Sequence, residues 1–151
     1  MTLKDPRSLK EFVGREIGVT EWFCVSQERI ENFAEATQDR QWIHIDRARA
    51  ACESPYGRTI AHGFLTLSLI SYLLKDLVQV QGGVRLAVNY GLNRVRFPAA
   101  VRADSRIRAR AVLLALKELP EFAEATYAVT VEIERSEKPG CVAEWIVRYY
   151  S

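Results

Sequence analysis

Histidine is scarce in this chain, with two in 151 residues, and cysteine is little commoner, with three. No spacing of these residues matches a structural zinc site. Cys24, Cys52 and Cys141 are scattered and odd in number, which predicts reduced core thiols in a cytosolic protein rather than a disulfide framework. An excess of one charge is also missing: 21 Lys and Arg face 19 Asp and Glu, for a formal net charge of +2. That balance offers no basic field for nucleic acid, and no aromatic-basic RNA signature is present. Long hydrophobic runs are lacking as well. The longest, 64–74, is broken by Thr66, Ser68 and Ser71 and is too short and too polar to span a bilayer. The opening "MTLKDPRSLKEF" has no apolar core, so no signal peptide is expected and a cytoplasmic location is. No internal repeat, low-complexity segment or linker interrupts the chain, which is expected to form one domain over 1–151.

What remains is ordinary globular composition, 48% apolar and 26% charged. "EIGVTEWFCV" (16–25) reads as a first strand. Ser26 suits an N-cap with Glu28 in the first turn, and Ile30, Phe33 and Ala34 recur at helical spacing, predicting a helix over 27–36. Residues 37–46 are polar and loop-like, and Asp46 can cap a short helix "RARAAC" before the turn material "ESPYGRT". Residues 62–76 carry apolar side chains nearly all round, which predicts an enclosed helix, followed by a Gly82-Gly83 turn.

Strands follow. "VRLAVNY" (84–90) and "RVRF" (94–97) both alternate, but the parity changes near Gly91, predicting a bulge or kink. In 105–116 Arg106, Arg108 and Arg110 share one face, read as solvated, and Ile107, Ala109 and Ala111 share the other. In 124–135 Tyr127, Val129, Val131 and Ile133 point inward, and 141–150 is the last strand. An antiparallel sheet wrapped around one apolar helix satisfies both patterns. That is an α+β architecture, of which the hot dog fold is the best-known form.

Two stretches carry chemistry. "ATQDRQWIHID" (36–46) sets Asp39 five residues before His44. "TIAHGFLTLSLIS" (59–71) opens an apolar run with the only other histidine, His62, for which a structural role at the helix start is expected. Taken alone, Asp39 is a turn-forming acid and His44 a buried, hydrogen-bonded histidine. Ser71 on an apolar helix face is expected to bond a backbone carbonyl. Trp42 reads as a pocket or interface wall.

Together these stretches resemble the MaoC-like dehydratases, including the (R)-specific enoyl-CoA hydratases, over roughly residues 10–150. The branch most similar is the single hot dog one that includes nodulation-protein-N-like members. Phe33, Thr37, Asp39, Ile43, His44 and Ala50 fall in register with the hydratase signature. Gln38, Gln41 and Trp42 stand where the family has Gly, Asn and Pro. "AHGFLTLSLIS" matches the start of the family's central helix. The resemblance implies an Asp39/His44 catalytic dyad and a Gly63 N–H that binds the thioester carbonyl. It also implies that Ser71 lines the active site and that Gln41 replaces an Asn beside the substrate.

Hydrating an enoyl thioester needs a base for the attacking water, a proton at C2 and a donor for the enolate-like oxygen. A carboxylate with an imidazole serves the first two needs, and a helix N-terminus serves the third. Glycine at 63 lets a ligand approach the backbone closely. No cofactor or metal is needed. Coenzyme A or acyl carrier protein is expected as the substrate's handle, with Arg85, Arg94 and Arg96 as candidates for its phosphates. A homodimer is expected, because a single hot dog sheet leaves an edge exposed. Two other functions fit the fold. A hot dog thioesterase usually carries an acid on or near the central helix, and 63–74 contains no Asp or Glu. A non-catalytic acyl-thioester-binding partner subunit would not need the intact Asp39/His44 pair.

Overall fold

In a computed structural model of the chain, residues 2–3, 5–77, 79–80 and 83–150 are described. The expected Gly82-Gly83 turn lies partly outside them, at Gly82. Eight strands, four α-helices and one 3-10 helix occur among the described residues. Strand β1 (Thr2–Leu3) is followed by the 3-10 helix Pro6–Phe12, β2 (Glu16–Val19) and β3 (Phe23–Val25). Helices α1 (Gln27–Thr37), α2 (Trp42–Ile45), α3 (Arg47–Glu53) and α4 (Gly63–Leu74) come next. The chain then runs through β4 (Gln79–Val80), β5 (Leu86–Arg96), β6 (Ser105–Glu118), β7 (Phe122–Ile133) and β8 (Cys141–Tyr150).

The large sheet has the order β2-β6-β7-β8-β5, with β3 also on β6, and every pairing in it is antiparallel. A small parallel ladder joins β1 to β4. Alternation decides the faces. Ile107, Ala109, Ala111 and Leu113 of β6 are buried, as are Tyr127, Val129, Val131 and Ile133 of β7. They form one core with Leu65, Leu69, Ile70, Leu73 and Leu74 of α4, so the sheet wraps the helix in the hot dog manner. Burying each such side chain is worth about 1.5–3 kcal/mol. The other face of β6 carries the arginines, and they are salt-bridged rather than bare. Arg106 pairs with Glu134, Arg108 with Glu132, and Arg110 with Glu132 and Glu16.

Local capping follows the sequence. Ser26 accepts a hydrogen bond from Arg29 N at 3.3 Å, and Asp46 accepts one from Arg49 N at 2.9 Å. The parity change at Gly91 is a pair of register shifts inside one strand, β5, between Asn89 and Gly91 and between Leu92 and Val95.

Four expectations need correction. The first strand is interrupted at 20–22, where the Thr20 hydroxyl takes over a ladder bond by accepting from Ala109 N at 2.9 Å. Residues 42–45 make one helical turn rather than loop. Helix α4 is enclosed on one side only. Phe64 is 69% exposed, and Ser68, Ser71 and Tyr72 are also exposed. The edge strand β5 also exposes Leu86, Val88, Tyr90 and Leu92; Val88 and Tyr90 lie on the sheet face of Arg148, and it is Asn89 of β5 that reaches Ser71 of α4. Of the three cysteines only Cys141 lies in the core, and burial pushes its thiol up to about 11; Cys24 and Cys52 are exposed.

Candidate active site

Helix α1 stops where Gln38 adopts a left-handed backbone, φ 61° and ψ 13°. That conformation suits glycine, the residue the family signature has at this position. The turn releases the chain into the exposed loop that carries Asp39.

His44 follows on α2 and is 8% exposed. Its Nδ1 lies 2.7 Å from the Ile60 carbonyl oxygen. A carbonyl only accepts, so Nδ1 carries the proton and Nε2 keeps its lone pair. Burial pushes the imidazole below its usual range, against the opposing pull of the Ile60 bond; His62 lowers it further and Asp39 raises it. His44 is therefore neutral near neutral pH and equipped to accept a proton. Its main chain is held as well. Buried Gln27 donates through Nε2 to the His44 carbonyl at 2.8 Å and accepts from the Thr59 hydroxyl.

The second histidine lies in the same place, although the sequence separates it from His44 by the whole of α3 and a turn. His62 is the N-cap residue of α4 and is 3% exposed. Its Nε2 donates to the Asp39 main-chain oxygen at 2.9 Å. Its ring stacks on His44, with centroids 3.7 Å apart and planes 26° apart, and also meets Phe33 at 5.0 Å. Its Nδ1 is buried and has no hydrogen-bond partner among the described residues.

Polar atoms of Asp39, His44 and His62 all lie within 4.8 Å of one another. Linear spacing had pointed to no tight ligand set, and the fold supplies one by distance. Direction argues against a metal. Imidazole lone pairs lie in the ring plane, and two rings stacked face to face aim theirs side by side. A zinc ion about 2.1 Å from a nitrogen of each would have to sit in both planes at once. One water fits better. Hydrogen bonds of about 2.8 Å from one oxygen span separations up to about 5.6 Å.

Gly63 begins α4 beside this cluster, so its N–H is among the first four without an intrahelical acceptor. It lines an open cleft of about 940 Å³ with Phe97, Arg102, Arg135 and Lys138 among its other walls. A Cβ at this position would lie 2.9 Å from the Phe97 ring, so only glycine lets Phe97 pack on the helix start.

The remaining expected site residues are not gathered here. Ser71 sits eight residues along α4, about 12 Å from Gly63 at 1.5 Å per residue. It lines a separate cavity of about 310 Å³, with Leu74, Asn89, Tyr127, Trp145 and Val147 among its neighbours. Its hydroxyl accepts from Asn89 Nδ2 at 3.1 Å; Ser68, not Ser71, bonds a backbone carbonyl, that of Phe64. Gln41 is exposed at the start of α2 and makes no capping bond. Trp42 lies under the Arg49 guanidinium at 4.3 Å. Arg94 and Arg96 border another surface depression, and Arg85 does not line the cleft at Gly63; Arg102, Arg135 and Lys138 do. Sequence reasoning missed those three cations and the part played by His62. The signal for His62 was its place directly before Gly63.

Several known proteins are similar to this chain. The family model described as MaoC like domain matches residues 9–135. The 3-hydroxyacyl-thioester dehydratase Z of Mycobacterium tuberculosis is 48% identical over 149 residues, covering 98% of this chain and 97% of its own. Nodulation protein N of Rhizobium leguminosarum bv. viciae is 46% identical over 135 residues, covering 89% of this chain and 84% of its own. Among solved structures, the monoamine oxidase regulatory protein from Archaeoglobus fulgius superposes with a TM-score of 0.80 at 23% identity, covering 100% of this chain and 99% of its own. By its matched signature, its fold and these relatives, the chain belongs to the MaoC-like dehydratase family.

Proposed function

We propose that the protein is an (R)-specific enoyl-CoA hydratase, equally a 3-hydroxyacyl-thioester dehydratase in the reverse direction, with Asp39 and His44 as its catalytic dyad. Hydro-lyase activity is the coarser statement that family membership already carries. One observation supports the finer reading above others. A carboxylate and a neutral imidazole stand within 4.8 Å of each other next to the unpaired N–H groups that open α4.

In this reading a water binds between Asp39 and His44. The dyad takes a proton from it as its oxygen bonds to C3 of the alkene. A proton returns from the dyad to C2, so one water adds across the double bond and no other reactant is consumed. The Gly63 N–H, with the α4 dipole behind it, holds the carbonyl oxygen while it carries enolate charge. Removing one oxyanion donor costs about 3–4 kcal/mol of barrier in other enzymes. Arg102, Arg135 and Lys138 offer cations to the phosphates of a coenzyme A or carrier-protein handle in the cleft. The largely apolar cavity beside Ser71 suits an acyl chain, and Gln41, exposed at the start of α2, is the residue we assign beside the substrate.

The working unit in this reading is a homodimer. Edge strand β5 and the outer face of α4 carry Phe64, Tyr72, Val88, Tyr90 and Leu92 in the open, more apolar surface than a lone protomer needs. Sedimentation at micromolar concentration checks this, and a monomer there removes the dimer. We place the protein in the cytoplasm; among the described residues no helix is long and apolar enough to cross a membrane.

The test is the loss of enoyl absorbance from crotonyl-CoA and a longer trans-2-enoyl-CoA, with free thiol followed in parallel. Wild-type turnover that Asp39→Asn and His44→Gln each reduce by orders of magnitude supports the dyad. Thiol release without hydration makes the protein a thioesterase. Binding without either reaction makes it an acyl-thioester-binding subunit.

A further inference from the structure

His62 makes two contacts that the proposed mechanism leaves unused, and one of its nitrogens makes none. Its Nε2–H reaches the main-chain oxygen of Asp39 and its ring lies on the ring of His44, while its Nδ1 is buried without a partner among the described residues. A helix start needs none of these. Its side chain makes no capping bond, although it occupies the N-cap position of α4. A residue chosen to begin a helix would be Ser, Thr, Asp or Asn, whose side chain satisfies an N–H of the first turn. His62 turns away from that task and toward both members of the dyad.

We infer that His62 is a positioning residue for the dyad, acting through its Nε2–H to fix the Asp39 main chain and through its ring to hold the His44 ring in place. The inference rests on the Asp39/His44 reading above. The two contacts differ in kind. The hydrogen bond sets where the Asp39 loop stands relative to α4, because Asp39 itself is exposed and the neighbouring bonds, from its own N–H to Thr37 Oγ1 at a long 3.4 Å, from Arg40 N to the Gln38 carbonyl and from Gln38 Nε2 to the Glu35 carbonyl, stay within α1 and the loop. The stack sets the plane of His44, whose own Nδ1 bond to Ile60 fixes one ring edge but leaves rotation about that bond.

Few other charges bear on the pair. Among the described residues the titratable groups acting on His44 are His62 and Asp39. Helix α4 carries no acid or base from 63 to 74 apart from exposed Tyr72, and the Glu35–Arg40 ion pair on the Asp39 side is exposed. The coupling of the two imidazoles is thus open to direct measurement, and with only two histidines in the chain each ring signal is assignable.

The experiment compares wild type with His62→Phe and His62→Gln. Phenylalanine keeps a flat ring for the stack but has no donor. Glutamine can offer an amide N–H where the imidazole has Nε2–H but has no ring. The expected result is a fall in kcat of about 10²-fold for His62→Phe, the scale of a reacting group displaced by about an ångström, with KM near wild type. His62→Gln, which keeps the donor and loses only the stack, is expected to recover kcat to within about tenfold of wild type. In both variants the His44 ring, followed by nitrogen-15 NMR without substrate, titrates at a different pH from wild type, since the imidazole stacked on it is gone. Wild-type kcat and an unmoved His44 titration in both variants overturn the inference. So does a loss of kcat that merely tracks the folded fraction. Should both variants fail to fold, the wild-type spectrum decides: His62 protonated at Nε2 and His44 at Nδ1 supports the assignment, and the opposite tautomer of His62 overturns it. A wild type that hydrates no enoyl thioester but shows the shifted His44 titration on substitution removes the hydratase reading and leaves the coupling of the two rings standing.

Discussion

Gln27 reaches across from the first turn of α1 and donates to the main-chain carbonyl of His44 at 2.8 Å. The same side chain accepts from Thr59, one residue before the Ile60 whose carbonyl holds the His44 ring. A single buried amide therefore ties together the two segments that grip the imidazole. Gln27→Leu should leave the His44 carbonyl and the Thr59 hydroxyl buried without partners and cost about 2–3 kcal/mol. Urea unfolding checks the stability, and hydration assayed on the folded fraction should fall as well. Stability within about 0.5 kcal/mol of wild type, the ordinary scatter of surface substitutions, would show that the amide is dispensable.

Gln38 holds a left-handed backbone, one of three non-glycine residues with positive φ among those described. A left-handed non-glycine residue costs roughly 1–2 kcal/mol. Gln38→Gly should raise the melting temperature or leave it unchanged, since the strain it removes exceeds the loss of one exposed bond to the Glu35 carbonyl. Gln38→Val should lower it, because β-branched side chains tolerate this region worst. The opposite order in thermal unfolding would contradict the backbone assignment.

Gly63→Ala sets a methyl against the Phe97 ring. The collision should cost about 1–3 kcal/mol and shift the start of α4. If the Gly63 N–H holds the thioester carbonyl, kcat should drop by up to about 10²–10³-fold. Gly63→Ala combined with Phe97→Leu should regain most of the stability. A double-mutant cycle on melting temperature with no coupling would disprove the contact.

His44 also makes stability depend on pH. Burial holds its folded pKa below the unfolded value of about 6.5. The unfolded chain therefore binds its proton first as pH falls. Stability from this group is full above about pH 6.5 and is lost as pH falls through the lower folded pKa. Denaturant midpoints measured from pH 7.5 to 5.5 should decline in wild type and decline less in His44→Gln. Equal slopes would mean that His44 is not held neutral.

The local parts of the site were legible. Asp39 and His44 lie five residues apart on one loop and one helical turn, so their spacing survives folding almost unchanged. The Ser26 and Asp46 caps, the β6 and β7 alternation and the break at Gly91 are also short-range patterns. What escaped depends on distant chain. His62 meets Asp39 and His44 only because α4 begins beside the loop that carries Asp39, and Arg102, Arg135 and Lys138 reach the Gly63 cleft from two separate connections. The helix at 42–45 is one turn long, too short for a period to show. Apolarity on every side of α4 revealed that its outer face is sticky, but not that the chain's own sheet leaves that face uncovered. Cys24 and Cys52 were misplaced because small apolar side chains carry no face preference outside a clear period.

Strand β5 breaks register twice within eleven residues. A straight edge invites any extended chain to add to it, and then another to add to that. A doubly broken edge is a poor template for such growth, because an incoming strand loses its ladder at each break. Apolar side chains can thus stand exposed along β5 without making it a seed for fibres.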